Sequence, residues 1–142
     1  MRMLFFILKK KIRRKYGDLK LKMMMVDIRN KEKMEKIFDG FRPEVIFHAA
    51  AHKHVPMMEY HPDEAVSNNI IATKTLVELA DKWGVIDLVM ISTDKAINPT
   101  SVMGASKQIA EPVTNIFFIL FPLFFPESIS DRFGQFFPPF LL

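Results

Sequence analysis

The chain contains no cysteine. That excludes a disulfide-stapled scaffold, a cysteine-ligated zinc site and a thiol nucleophile. Glycine is nearly as scarce: five residues, at positions 17, 40, 84, 104 and 134, with no two closer than 20 positions. No GxGxxG or GxxGxxG can be written anywhere, so the glycine-rich turn that cradles a pyrophosphate at a helix N-terminus is absent. Long apolar runs are missing too. No stretch reaches the roughly 18 residues of a membrane-spanning helix. The apolar run Met3–Leu8 is short and precedes its lysines, the reverse of a secretory signal. The expected location is cytoplasmic, at most at the inner face of a membrane.

What is present is a globular composition, 49% apolar and 25% charged over 142 residues. That length allows one domain, at about 100–200 residues each. The net charge is +4, but residues 1–36 hold 13 of the 20 basic side chains against four acidic ones. From Lys9 to Lys36, Tyr16 is the only aromatic among the charges, so the stretch reads as a solvated face and not as a nucleic-acid surface. At the other end, nine of the 14 phenylalanines follow residue 116, among prolines. The expected organisation is a folded unit over 1–114 and a divergent Phe/Pro-rich tail over 115–142. The tail, together with the basic residues 1–15, has membrane-surface character.

Between these ends the pattern alternates. Leu21–Val26 predicts a strand. Asn30 predicts a helix cap, with Met34, Ile37 and Phe38 on one face, Gly40 at the C′ position and Pro43 blocking continuation. Val45–Phe47 predicts a second strand, buried on both faces as parallel strands are. A helix is expected over Asp63–Trp83, with Val66, Ile70, Val77 and Ala80 near helical spacing, broadened by Leu76, Leu79 and Trp83; Gly84 ends it. Ile86–Ile91 predicts a third strand, and a helix is expected to start near Ser101. This is the α/β class, a doubly wound parallel sheet with crossover helices. Ligands of such sheets bind beyond the carboxyl ends of the strands. That points to Asp27, to 48–59 and to 92–103.

Those segments carry the unusual residues. Ala49, Ala50 and Ala51 leave room for a backbone or a flat ligand at a strand end. His48, His52 and His54 lie close in sequence, but no acidic residue sits at ligand spacing and Lys53 divides two of them, so no metal site is expected. Thr93, Asp94 and Lys95 place a hydroxyl, a carboxylate and an amine side by side, a donor, an acceptor and a proton carrier in one volume. The same residues also make an ordinary polar turn before Pro99. Met103 and Lys107 share a helix face at i, i+4.

Taken together, the stretches VDIRN (26–30), FHAAAHKHVPMMEYHP (47–62), SNNIIATKT (67–75) and ISTDKAINPTSVMGASK (91–107) resemble one family. It is the CapD-like group of nucleotide-sugar dehydratases and epimerases, within the extended short-chain dehydrogenase/reductase superfamily. The resemblance runs from about Tyr16 to Glu111. It implies a Rossmann-type domain, bound NAD(P) and a UDP-N-acetyl-hexosamine substrate in surface-polysaccharide synthesis. The implied reaction passes a hydride from C4 of the sugar to the cofactor, removes the C5 proton, expels water from C6 and returns the hydride there. Family members form homo-oligomers.

Residue by residue, the resemblance implies that Asp27 lies near the adenine and that Ala49–Ala51 pass the cofactor. It implies that Asn69 shapes the site and that Lys53 and Asn98 face the substrate. Thr93 would polarise the C4 oxygen, and Asp94 with Lys95 would act as acid and base. Lys107 would bind the nicotinamide ribose. Met103 stands where most short-chain dehydrogenases carry tyrosine, as it does in the long membrane-linked members of this group.

The chain also departs from the family. The first strand and the glycine-rich loop have no counterpart, Pro112 is expected to interrupt the last helix, and no sugar-binding subdomain follows. The expectation is an incomplete Rossmann domain, the product of a truncated or frame-shifted gene, that alone holds NAD(P) weakly. Two alternatives stay open: a non-catalytic remnant, and a basic, apolar membrane-surface module.

Overall fold

The computed structural model describes residues 17, 20 and 22–120, the last six as backbone. The basic segment before Tyr16 and the Phe/Pro-rich segment from 121 onward lie outside the described residues.

Helix α1 spans Lys31–Phe41. The Asn30 side chain accepts the Lys33 amide at 3.0 Å, satisfying one of the free N–H groups of the first turn. Phe38 is 2% exposed, and Met34 packs beside it. The helix does not stop at Gly40. It runs one residue further, and Arg42 takes the left-handed conformation with φ +46°. The Arg42 side chain offsets that strain: it bonds Asp39 Oδ1 at 2.9 Å and lies 4.1 Å over the Trp83 ring. Pro43 then bars continuation.

Strand β1 (Val45–His48) pairs in parallel with β2 (Asp87–Met90), in the register Val45↔Asp87 to His48↔Met90. Between them run α2 (Val55–Tyr60), α3 (Pro62–Ala65), a π-helical segment (Val66–Ile71) and α4 (Ala72–Lys82). A three-residue 3₁₀ turn (Asp94–Ala96) and α5 (Val102–Leu120) follow β2. Strand, crossover helices, parallel strand and helix make this the Rossmann-type α/β arrangement.

Four further expectations change. Residues 22–26 form no strand and pair with neither β1 nor β2; an apolar run becomes a strand only where a ladder partner is beside it. β1 is not buried on both faces. Ile46 and His48 face the core, whereas Val45 and Phe47 are 38% and 51% exposed. Among the described residues, the helices cover one face of the sheet.

The apolar stripe of the long helix also differs. Leu76, Leu79 and Ala80 are buried, but Val66 is 43% exposed. The Ala72 amide bonds Ser67 O, five residues back. One extra residue per turn rotates the stripe by about 100°, so spacing counted across the π segment misplaces its N-terminal members. Finally, α5 runs through Pro112. Ala110 and Thr114, on either side of it, are buried at 0% and 3%. Packing thus holds the helix across the missing hydrogen bond.

The main core joins Phe38, Leu76, Leu79, Ala80, Val85 and Leu88. Gly84 closes α4 as the sequence suggests. It has φ +67°, its amide bonds Asp81 O, and the Val85 amide bonds Ala80 O, the paired bonds of a glycine-terminated helix. Among the described residues, no helix is long and apolar enough to cross a membrane.

Candidate active site

Two of the three strand-end segments meet in one open groove of about 680 Å³. Val55, Pro56 and Glu59 from α2 form one wall. Asp94, Lys95, Ile97, Asn98, Thr100 and Ser101 form the other. The groove contains Asp94, Lys95 and Asn98 of the residues the sequence singles out.

The 3₁₀ turn is built by its own side chains. Thr93 Oγ1 donates to Asp94 Oδ1 at 2.9 Å, and the Lys95 amide donates to the same oxygen at 3.0 Å. The Asp94 carboxylate is thereby oriented while its residue stays exposed. Asn98 takes φ +49°, a left-handed position that Asn tolerates better than most residues. The Lys95 ammonium makes no ion pair among the described residues.

Behind the turn, α5 approaches very closely. A Cβ at Gly104 would lie 2.3 Å from Lys95 O and 3.0 Å from the Pro99 side chain. Only glycine allows this contact. Two groups cap the helix. Ser101 Oγ accepts the Gly104 amide at 3.1 Å, and Glu59 Oε1, from α2, accepts the Val102 amide at 2.8 Å. Met103 is buried against Met58 and Ala65, with Val55 and Val102 around it, so its side chain packs under the groove. Lys107 is 6% exposed and donates to Ile91 O at 3.1 Å, at the end of β2. Burial lowers its pKa, and Glu111 partly opposes that.

A buried polar network supports these pieces. Asn69, in the π segment, is 1% exposed. Its Oδ1 accepts the His52 amide at 2.8 Å, and its Nδ2 donates to His52 O at 3.1 Å and to Ser106 Oγ at 2.9 Å. Asn69 therefore acts on the site through the backbone of the Ala49–His52 segment and through α5. Thr73 Oγ1 donates its one proton to Asn69 O at 2.7 Å, so its 2.9 Å contact with His48 Nε2 must be donated by the imidazole. His48 thus carries a proton on Nε2. Burial, helped by the nearby Lys107 charge, lowers its pKa to about 4.

Asp27 stands outside the groove. Its carboxylate takes the Arg29 side chain at 2.8–3.1 Å and the Arg29 amide at 3.0 Å, which lowers its pKa to about 2. Arg29 also bonds Glu64 at 2.7 Å, and His52 Nε2 lies 3.6 Å from the same carboxylate. Lys53 is exposed before α2 and does not line the groove, and Ala49 and Ala50 are exposed at the end of β1.

Residues 3–117 match the family model described as "Polysaccharide biosynthesis protein". The chain belongs to that family. Within this polysaccharide biosynthesis family, the capsular polysaccharide biosynthesis protein CapD of Staphylococcus aureus is 52% identical over 90 residues, covering 63% of this chain and 15% of CapD. Among solved structures, Pen from Bacillus thuringiensis matches with TM-score 0.68 and 32% identity, covering 80% of this chain and 34% of Pen. The UDP-glucose 4-epimerase of Thermus thermophilus in complex with NAD matches with TM-score 0.64 and 28% identity, covering 68% of this chain and 36% of the epimerase. The chain thus spans about a third or less of the length of these relatives.

The sequence motifs contain Glu59, Thr73, Gly104 and Ser106 but give them no role. Each acts through a tertiary contact between distant segments, and nothing local marks such a contact.

Proposed function

We propose that this chain carries the proton-transfer residues of a nucleotide-sugar 4,6-dehydratase that acts on a UDP-N-acetyl-hexosamine with NAD(P). One observation carries the reading: Thr93, Asp94 and Lys95 sit on a single turn at the carboxyl end of β2, with Asp94 and Lys95 open to the groove. The bonds that Asp94 accepts from Thr93 and from the Lys95 amide fix its carboxylate for hydrogen-bond exchange with a sugar oxygen. Lys95 is the one cationic side chain lining the groove among the described residues and the candidate base for the C5 proton.

The ends of β1 and β2 suit a dinucleotide. Ala49–Ala51 leave the backbone accessible there, and Lys107, held on Ile91 O, retains further N–H donors for a ribose hydroxyl. When bound, NAD(P) supplies the hydride acceptor and donor. The names of the relatives support this assignment: one belongs to capsular polysaccharide biosynthesis, and another is a UDP-sugar epimerase in complex with NAD.

The test is Lys95→Ala in this protein, with UDP-N-acetylglucosamine as substrate, NAD(P) present and loss of water read by mass spectrometry. Removal of an acid or base typically costs about 10²–10⁴-fold in rate. Because Lys95 is exposed, stability should change by no more than about 0.5 kcal/mol. Unchanged dehydration would remove Lys95 from the reaction.

A further inference from the structure

The N-terminus of α5 opens on the groove, and its free amides would draw an anion there. The structure fills that position from within. Glu59 is carried on α2, 43 residues from Val102 in sequence, and its Oε1 accepts the Val102 amide at 2.8 Å. Glu59 also lines the groove. Among the described residues, the charged groups of the lining are Glu59, Asp94 and Lys95, two carboxylates against one ammonium. The remaining polar lining, Asn98, Thr100 and Ser101, is uncharged. Hydroxyl groups find donors and acceptors in such a wall, whereas a ligand carboxylate meets two like charges and a helix end already occupied.

We propose that Glu59 is a specificity residue of this groove: by occupying the N-terminus of α5 and facing the groove, it admits the uncharged, hydroxyl-rich ring of a nucleotide sugar and turns away a ring bearing a carboxylate. The proposal rests on the nucleotide-sugar reading above. It adds the discrimination between neutral and acidic sugars and the residue that sets it.

The experiment titrates the 142-residue chain calorimetrically with UDP-N-acetylglucosamine and with UDP-glucuronic acid, at low ionic strength and neutral pH. Like charges opposed in a contact cost enough to separate the two ligands by about tenfold or more, with the neutral sugar the tighter. Glu59→Gln keeps an oxygen for the Val102 amide but loses the charge. It should narrow the gap to about threefold or less by gaining affinity for the uronate.

Equal binding of the two sugars by the unsubstituted chain would overturn the proposal without recourse to any variant. So would an unchanged gap in a folded Glu59→Gln. In either case the nucleotide-sugar reading would stand. Binding of neither sugar would instead sink that reading, and the role of Glu59 with it.

Discussion

The groove turn and the polar network behind it are both built from hydroxyls, amides and charges, but they are held in opposite ways. Thr93, Asp94 and Lys95 bond mainly to one another over three consecutive residues and remain open to solvent. His48, Asn69, Thr73 and Ser106 come from β1, the π segment, α4 and α5, and each is at most 4% exposed. The turn can be rewritten with little cost to folding because water replaces what a substitution removes. The network cannot, since a buried donor or acceptor that loses its partner keeps its full desolvation penalty. The groups proposed to react thus lie where charge is cheap, and the segments around them are held from a region where polarity is expensive.

The sharpest way to break this contrast is Asn69→Leu. It removes four hydrogen bonds, including both to the His52 backbone. At about 1 kcal/mol each, the expected loss is about 4 kcal/mol in urea denaturation, several times that of Lys95→Ala. A loss below 1 kcal/mol would show that the network is not what holds the site.

The next largest effect is read by pH. His48 has a folded pKa of about 4 against an ordinary 6.5, so the unfolded chain binds the proton more readily. Stability is then fully present above pH 6.5 and falls as pH drops toward 4, by about 3 kcal/mol at roughly 1.4 kcal/mol per unit. Denaturation midpoints between pH 4 and 7 measure this, and His48→Gln should flatten the slope. An unaltered slope would place its origin elsewhere.

The smallest effect sits at the junction of the two regions. Gly104→Ala gains about 1 kcal/mol of helix propensity but drives a Cβ into Lys95 O. Overpacking of this kind costs about 1–3 kcal/mol, which leaves a net loss near 2 kcal/mol at most. Its larger consequence is displacement of the turn. Amide chemical shifts at 94–98 should move more than those of α1, and equal shifts throughout would deny the coupling.

Much of this fold is legible in the sequence where the determinants are local. Asn30 caps α1, Gly84 closes α4, β2 falls within its apolar run, and β1 extends its run by the one residue His48. The grouping of Thr93, Asp94 and Lys95 at a strand end is legible for the same reason. What the sequence hides are consequences of distant partners. Leu21–Val26 has the composition of a strand, but among the described residues 22–26 have no ladder in which to form one. Pro112 carries the signal of a helix break, overruled by the packing of Ala110 and Thr114. The π segment hides because one extra residue in a turn leaves no compositional mark, yet it rotates Val66 out of the core. Glu59 looks like any surface glutamate until α2 is laid against α5.

Trp83, the one tryptophan of the chain, lies at the edge of the main core beneath the Arg42 guanidinium. Its Nε1–H is buried without a hydrogen-bond partner among the described residues. Neither it nor Arg42 lines the groove. The molecule therefore carries a single indole whose surroundings change when α1 and α4 separate, and whose position leaves it out of direct contact with a groove ligand. Emission from this indole offers an optical record of folding that is distinct from the record of binding.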